Sequence, residues 1–250
     1  MRNTMRLPLF TRRHTLIALL VAAVGAAGWL LLRTPDEAPE FMHPITTVPE
    51  PPKPAGPPWL YGRSDARFTV VGYADLECPY CRAYFPTLQR WIDTHPEANW
   101  QWHHLPLSMH EPAATAGARL AECAGETGGH AAFWQAVAWL YAHTRGDGQG
   151  LPEGLRYPDL TPTLQQCLDS ERPDAVIRAQ AAEAARQSIA ATPALLLRDR
   201  DTGKTLLLHG PLDGDALLSA LDLLAAGDTA SAESSHLPDM PASVAGDMPR

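Results

Sequence analysis

Cys78 and Cys81 are separated by Pro79 and Tyr80 in a Cys-Pro-Tyr-Cys run. Cysteines at this spacing carry a reversible disulfide, supply half of a metal site, or form a permanent bridge. At the start of a helix the spacing brings both sulfurs to the same end, within bridging distance. There the first sulfur meets free N–H groups and the positive end of the helix dipole, which favour thiolate over thiol and lower its pKa. Thiolate is the attacking species in disulfide exchange, and a low pKa also makes a sulfur a better leaving group. Cys78 is therefore expected to be the attacking, exposed sulfur. Cys81, one turn further in, is expected to be more buried and to resolve a mixed disulfide. Glu77 opposes the thiolate if its carboxylate faces Cys78. A zinc site needs two more ligands. Cys123 and Cys167 stand apart in sequence, and His103, His104 and His110 show no ligand spacing to a partner. No metal is expected, and no cofactor beyond a redox-active Cys78–Cys81 disulfide.

A strand and a helix must hold this pair. Residues 67–73 (Arg-Phe-Thr-Val-Val-Gly-Tyr) read as a buried strand, and a short loop over 74–77 leads to Cys78. Pro79 suits a first helical turn, where its missing N–H costs nothing. The helix runs on with Phe85, Leu88 and Ile92 on one face, and Pro96 ends it. Residues 99–105 alternate as a second strand. A helical block spans about 108–190. Its first helix opens at Pro112, passes Cys123 and stops near Gly128 and Gly129. A second runs from His130 to His143, with Phe133, Val137 and Leu140 on one face and Trp134 and Tyr141 beside it. Residues 146–154 form a loop, Thr161 and Pro162 start a short helix, and Pro173 opens the last long one. Strand character returns at 194–197 and 205–209 around a turn at 201–204, and a final amphipathic helix covers 213–224. The order implies an α/β domain with a helical insertion.

The full chain has 250 residues, 45% of them apolar, and a net charge of −8, which argues against nucleic acid as a partner. An uncharged apolar run at 15–32 follows Arg2, Arg6, Arg12 and Arg13 and precedes Arg33, Asp36, Glu37 and Glu40. It is long enough to cross a hydrocarbon core, and the basic side stays cytoplasmic. The expected organisation is a cytoplasmic segment at 1–14, a transmembrane anchor at 15–32 and a proline-rich linker at 33–61. A folded domain follows at 62–226, then a disordered tail at 227–250. A cleaved signal peptide is the rival reading, with Gly25 and Ala27 as small residues near a cleavage point. The apolar run through Trp29–Leu32 opposes it. Both readings export the domain. Four cysteines, an even number with one close pair, suit an oxidising compartment.

The run from Tyr73 to Cys81 (Tyr-Ala-Asp-Leu-Glu-Cys-Pro-Tyr-Cys) resembles the active-site segment of DsbA-like thiol–disulfide oxidoreductases. Leu105-Pro106-Leu107 with His110, Ala113 and Ala114 is similar to the segment after the family's second strand. Ala121–Ala124 followed by Phe133 and Trp134 is similar to the start of its helical insertion. Ala191-Thr192-Pro193-Ala194 looks like its cis-proline loop. The resemblance covers about 66–225 and implies a thioredoxin-like fold with an inserted α-helical domain. It implies Cys78 and Cys81 as catalytic residues, Pro193 as the cis-proline facing them, and substrate contacts from Pro79, Tyr80, Thr192 and Pro193. Some relatives staple the insertion, which implies a structural disulfide between Cys123 and Cys167. Closing that loop restricts the unfolded chain by about 3–4 kcal/mol in the entropy model.

Two departures stand out. Tyr80 replaces the histidine of the strongest oxidants and cannot carry a positive charge. Gly72 stands where several thioredoxin-fold proteins carry a buried acid, with Asp75 as the candidate substitute. The implied activity is disulfide exchange with cysteine-containing envelope or secreted proteins, as a mild oxidase. The catalytic domain would lie in the periplasm, on a single-pass anchor in a bacterial inner membrane. A DsbB-like membrane enzyme would reoxidise it. The alternatives are a reductase or isomerase kept reduced by a membrane partner, and a non-catalytic thioredoxin-fold subunit of an envelope complex.

Overall fold

The computed structural model describes residues 52–226. The expected cytoplasmic segment, the anchor at 15–32, most of the linker and the tail lie outside the described residues. Among the described residues no helix is long and apolar enough to cross a membrane.

Five strands form one sheet in the order β1-β3-β2-β4-β5. They are β1 (Leu60–Gly62), β2 (Phe68–Ala74), β3 (Ala98–His104), β4 (Ala194–Asp199) and β5 (Thr205–His209). β2 runs parallel to β3 and antiparallel to β4, while β1 and β5 are antiparallel edges. The parallel β2–β3 step needs a crossover, and α1 (Pro79–Thr94) supplies it. The helical insertion between β3 and β4 comprises α2 (Ala113–His143), α3 (Pro162–Leu168) and α4 (Arg172–Arg186). The chain closes on α5 (Gly214–Ala225).

Central strand β2 is covered on both faces, which is why its sequence is nearly all apolar. Val70 and Ala74 point into a large core with α1, the insertion and α5. Val71 and Tyr73 point into a smaller one with Leu105, Ala184 and Ile189. The period of two along a strand makes that split automatic. The expected stop near Gly128–Gly129 is real: Gly129 has φ 74° and breaks α2 into two helical segments. A side chain there is strained, and glycine adopts that conformation without penalty.

One boundary shifts. Leu60 and Tyr61, expected in the linker, form β1 and pair with Gln101 and Trp100 of β3. Trp59 is buried against Phe133 and gives its indole N–H to the buried Glu122 carboxylate at 2.9 Å. The folded part therefore takes in the end of the proline-rich run.

Candidate active site

β2 ends at Ala74, and the turn over 75–77 aims the chain at the start of α1. Cys78 is the residue that caps α1, with extended φ/ψ (−73°, 120°), and Pro79 opens the first turn. The carbonyl of Cys78 accepts the first helical hydrogen bond, from Arg82 N at 3.0 Å. Both cysteines are free thiols. The expected exposure of Cys78 is not found: Cys78 and Cys81 are each only 3% exposed. The loop before β4 covers the first sulfur, with the Thr192 carbonyl 3.5 Å from Cys78 Sγ. The Thr192–Pro193 peptide is cis, and Pro193 lines a small cavity together with Cys81. Tyr80 stands out beside the pair at 68% exposure, as does Met109 on the segment after β3 at 77%.

The two sulfurs are poised differently. Cys78 is lowered from an ordinary 9.0 to about 6. The hydrogen bond from the Cys81 thiol is the largest cause, against the opposing effect of burial. The Thr192 side chain and the backbone N–H groups of Cys81 and Tyr80 add to it. The helix start thus contributes, and the partner sulfur is a larger contributor than either of its N–H groups alone. The Thr192 hydroxyl is buried without a closer partner among the described residues, so it is available to the sulfur. Burial pushes Cys81 far upward, and the neighbouring Cys78 sulfur adds to the shift. One sulfur is therefore ready to attack at neutral pH, and the other holds its proton until the first has reacted.

The two acids of the turn clamp loops. Glu77 is buried and faces away from the sulfurs. Its carboxylate accepts hydrogen bonds from the Thr144 hydroxyl and from Gly150 N, and its carbonyl accepts from Asp147 N. The condition for Glu77 to oppose the thiolate, a carboxylate turned to Cys78, is not met, because that carboxylate is engaged with the 144–150 loop. The Asp75 carboxylate, the candidate substitute for the missing acid, is buried and engaged on both oxygens. One of its carboxylate oxygens accepts from Glu77 N at 2.7 Å. The other accepts from Leu107 N at 2.8 Å and lies 2.7 Å from His110 Nδ1. The first closes the turn on itself, and the second holds it against the segment after β3. Gly72, where several relatives carry the acid, has no room for a side chain, because a Cβ would collide with the Trp100 indole Nε1.

Cys123 and Cys167 form a disulfide that ties α2 to α3, with Cα atoms 5.6 Å apart. Among the described residues no group of three or more His, Cys, Asp or Glu is arranged to hold a metal ion. One residue of the site was invisible in the sequence. Tyr141, read only as a flank of its helix's apolar face, is buried beside Cys81 and gives its hydroxyl hydrogen to the Asp75 carbonyl at 3.1 Å. Its position depends on a contact across more than sixty residues, which no local pattern encodes.

A thioredoxin-like sheet, a Cys-x-x-Cys pair at a helix start and a cis-proline loop over it define a thiol–disulfide exchange protein. Residues 55–222 match the thioredoxin family model, and the chain belongs to that family. Within it the chain is a member of the DsbA-like thiol–disulfide oxidoreductases. DsbA2 of Pseudomonas aeruginosa is 46% identical, with a TM-score of 0.66 over 71% of this chain and 98% of that one. A thioredoxin-like oxidoreductase from Silicibacter pomeroyi shares the fold at 23% identity, with a TM-score of 0.54 over 70% of this chain and 94% of that one. Among curated proteins, the Na(+)/H(+) antiporter NhaA 3 of Salinispora tropica is 32% identical over 64% of this chain. The match covers 24% of the antiporter, so this chain spans about a quarter of the length of that curated relative.

Proposed function

We propose that this protein exchanges disulfides with cysteine-containing envelope or secreted proteins, acting as an oxidase. The observation that carries the reading is the asymmetry of the pair, with Cys78 near pKa 6 and Cys81 held protonated behind it. Substrate thiolate attacks the Cys78–Cys81 disulfide at Cys78, and Cys81 leaves. A second substrate thiolate then attacks the mixed disulfide and releases Cys78 as thiolate. Stabilising that thiolate favours the reduced enzyme, which makes the disulfide an oxidant. Pro79, Tyr80, Thr192 and Pro193 surround the sulfur and contact the substrate chain.

The domain works in the periplasm, tethered through residues 15–32, and a DsbB-like membrane partner restores the disulfide. The Cys123–Cys167 bridge supports an oxidising compartment, and the arginines before the apolar run support the orientation. Equilibration with glutathione tests the direction. A reduction potential less negative than about −200 mV is expected, whereas a value near −270 mV makes the protein a reductant. Alkaline phosphatase fused after residue 226 should be active in cells, and an inactive fusion would overturn the orientation.

A further inference from the structure

Disulfide exchange at this site leaves a charge on Cys81. When substrate thiolate bonds to Cys78 Sγ, the Cys78–Cys81 bond breaks and its electron pair goes to Cys81 Sγ. The reverse step needs the same thiolate as attacker. Cys81 is buried, and an uncompensated charge there is costly. The acid that serves this sulfur in several relatives has no place here. Trp100 blocks Gly72, and the Asp75 carboxylate is engaged on both oxygens.

Tyr141 is a neighbouring hydroxyl. It lines the same cavity as Cys81, Gly72 and Pro193, about 20 Å³ in volume. Its ring is fixed between Phe85 and Trp102, with centroids 5.4 and 6.3 Å away. Its hydroxyl gives its hydrogen to the Asp75 carbonyl at 3.1 Å, on the cavity wall it shares with Cys81. We propose that Tyr141 is a catalytic hydrogen-bond donor to Cys81, its O–H turning from the Asp75 carbonyl to the sulfur whenever Cys81 carries the charge. Burial, and then the charges of Cys81 and Asp75, hold this phenol protonated, so it keeps its hydrogen while donating. A hydrogen bond to an ionised group is among the strong ones, and in a buried site it acts on the charge as it develops.

The inference rests on the exchange reading and is separable from it. A chromogenic aromatic disulfide reacts with the reduced full-length chain in two resolved steps. Cys78 attacks and releases one coloured thiolate, and then Cys81 attacks Cys78 Sγ and releases the second. In Tyr141→Phe the first step should stay within about twofold, and the second should slow by about tenfold or more. An unchanged second step, or equal slowing of both, overturns the role of Tyr141. A wild-type chain that releases only one thiolate overturns the exchange reading itself. Should Tyr141→Phe not fold, a ring-fluorinated tyrosine at position 141 keeps the packing and makes a stronger donor. The second step should then be faster, and an unchanged rate again overturns the proposal.

Discussion

The molecule carries two cysteine pairs that burial alone does not distinguish. Cys123 and Cys167 have no exposed surface, and Cys78 and Cys81 have almost none. One pair is bridged across 44 residues and joins two helices of the insertion. The other sits within one turn of helix as free thiols. The difference lies in what surrounds the sulfur. Cys78 has a thiol, a hydroxyl and backbone N–H groups as donors, with a carbonyl loop above it. Cys123 and Cys167 lie in the same apolar core, but their sulfurs are bonded to each other and carry no proton to lose. The reactivity of Cys78 is thus made by hydrogen-bond donors placed around a buried sulfur.

Removing the sulfurs breaks the comparison most sharply. Cys78→Ser should lower exchange on a reduced substrate protein by on the order of a thousandfold or more. Cys81→Ser should accumulate mixed disulfides through Cys78, visible on non-reducing gels. A non-catalytic subunit would show neither effect. Replacing Cys123 and Cys167 by serine should instead cost about 3–4 kcal/mol in denaturant unfolding. It should leave the Cys78 pKa in place, and a large change in that pKa would erase the distinction between the pairs.

A smaller effect tests the electrostatics through stability. The folded, reduced protein holds Cys78 at about 6 against 9.0. A pKa depressed by folding adds stability above the unfolded value and loses it as pH falls through the folded one. Reduced wild type should therefore gain on Cys78→Ser as pH rises from about 6 to about 9, with no gain below that window. Parallel unfolding curves would contradict the shift. Glu77→Gln should cost about 1–2 kcal/mol by loosening the 144–150 loop, with little change at Cys78. The smallest effect belongs to Thr192→Val, which should raise the Cys78 pKa by less than about one unit.

The strand–turn–helix unit was legible because its signals are local: apolar residues through β2, a proline at the first turn of α1, and the cysteine spacing. The insertion was legible from its caps and from Gly129. β1 was not, because three residues beside a proline run carry no periodicity and gain their place from pairing with β3. The cover over Cys78 comes from Thr192, 114 residues away, so its burial could not be read from the Cys-Pro-Tyr-Cys run. The same holds for Glu77, whose direction is set by Thr144 and Gly150, and for the Leu107 and His110 contacts of Asp75. Local sequence named the reacting atoms, and distant contacts decided their surroundings.

Titration of the Cys78 thiolate by its ultraviolet absorbance, in the reduced full-length protein and in Cys81→Ala, reads the donation from the Cys81 thiol. A midpoint near 6 is expected in the wild type and a higher one in the variant, which has no donor at position 81. A wild-type midpoint near 9, unchanged in the variant, would contradict the account.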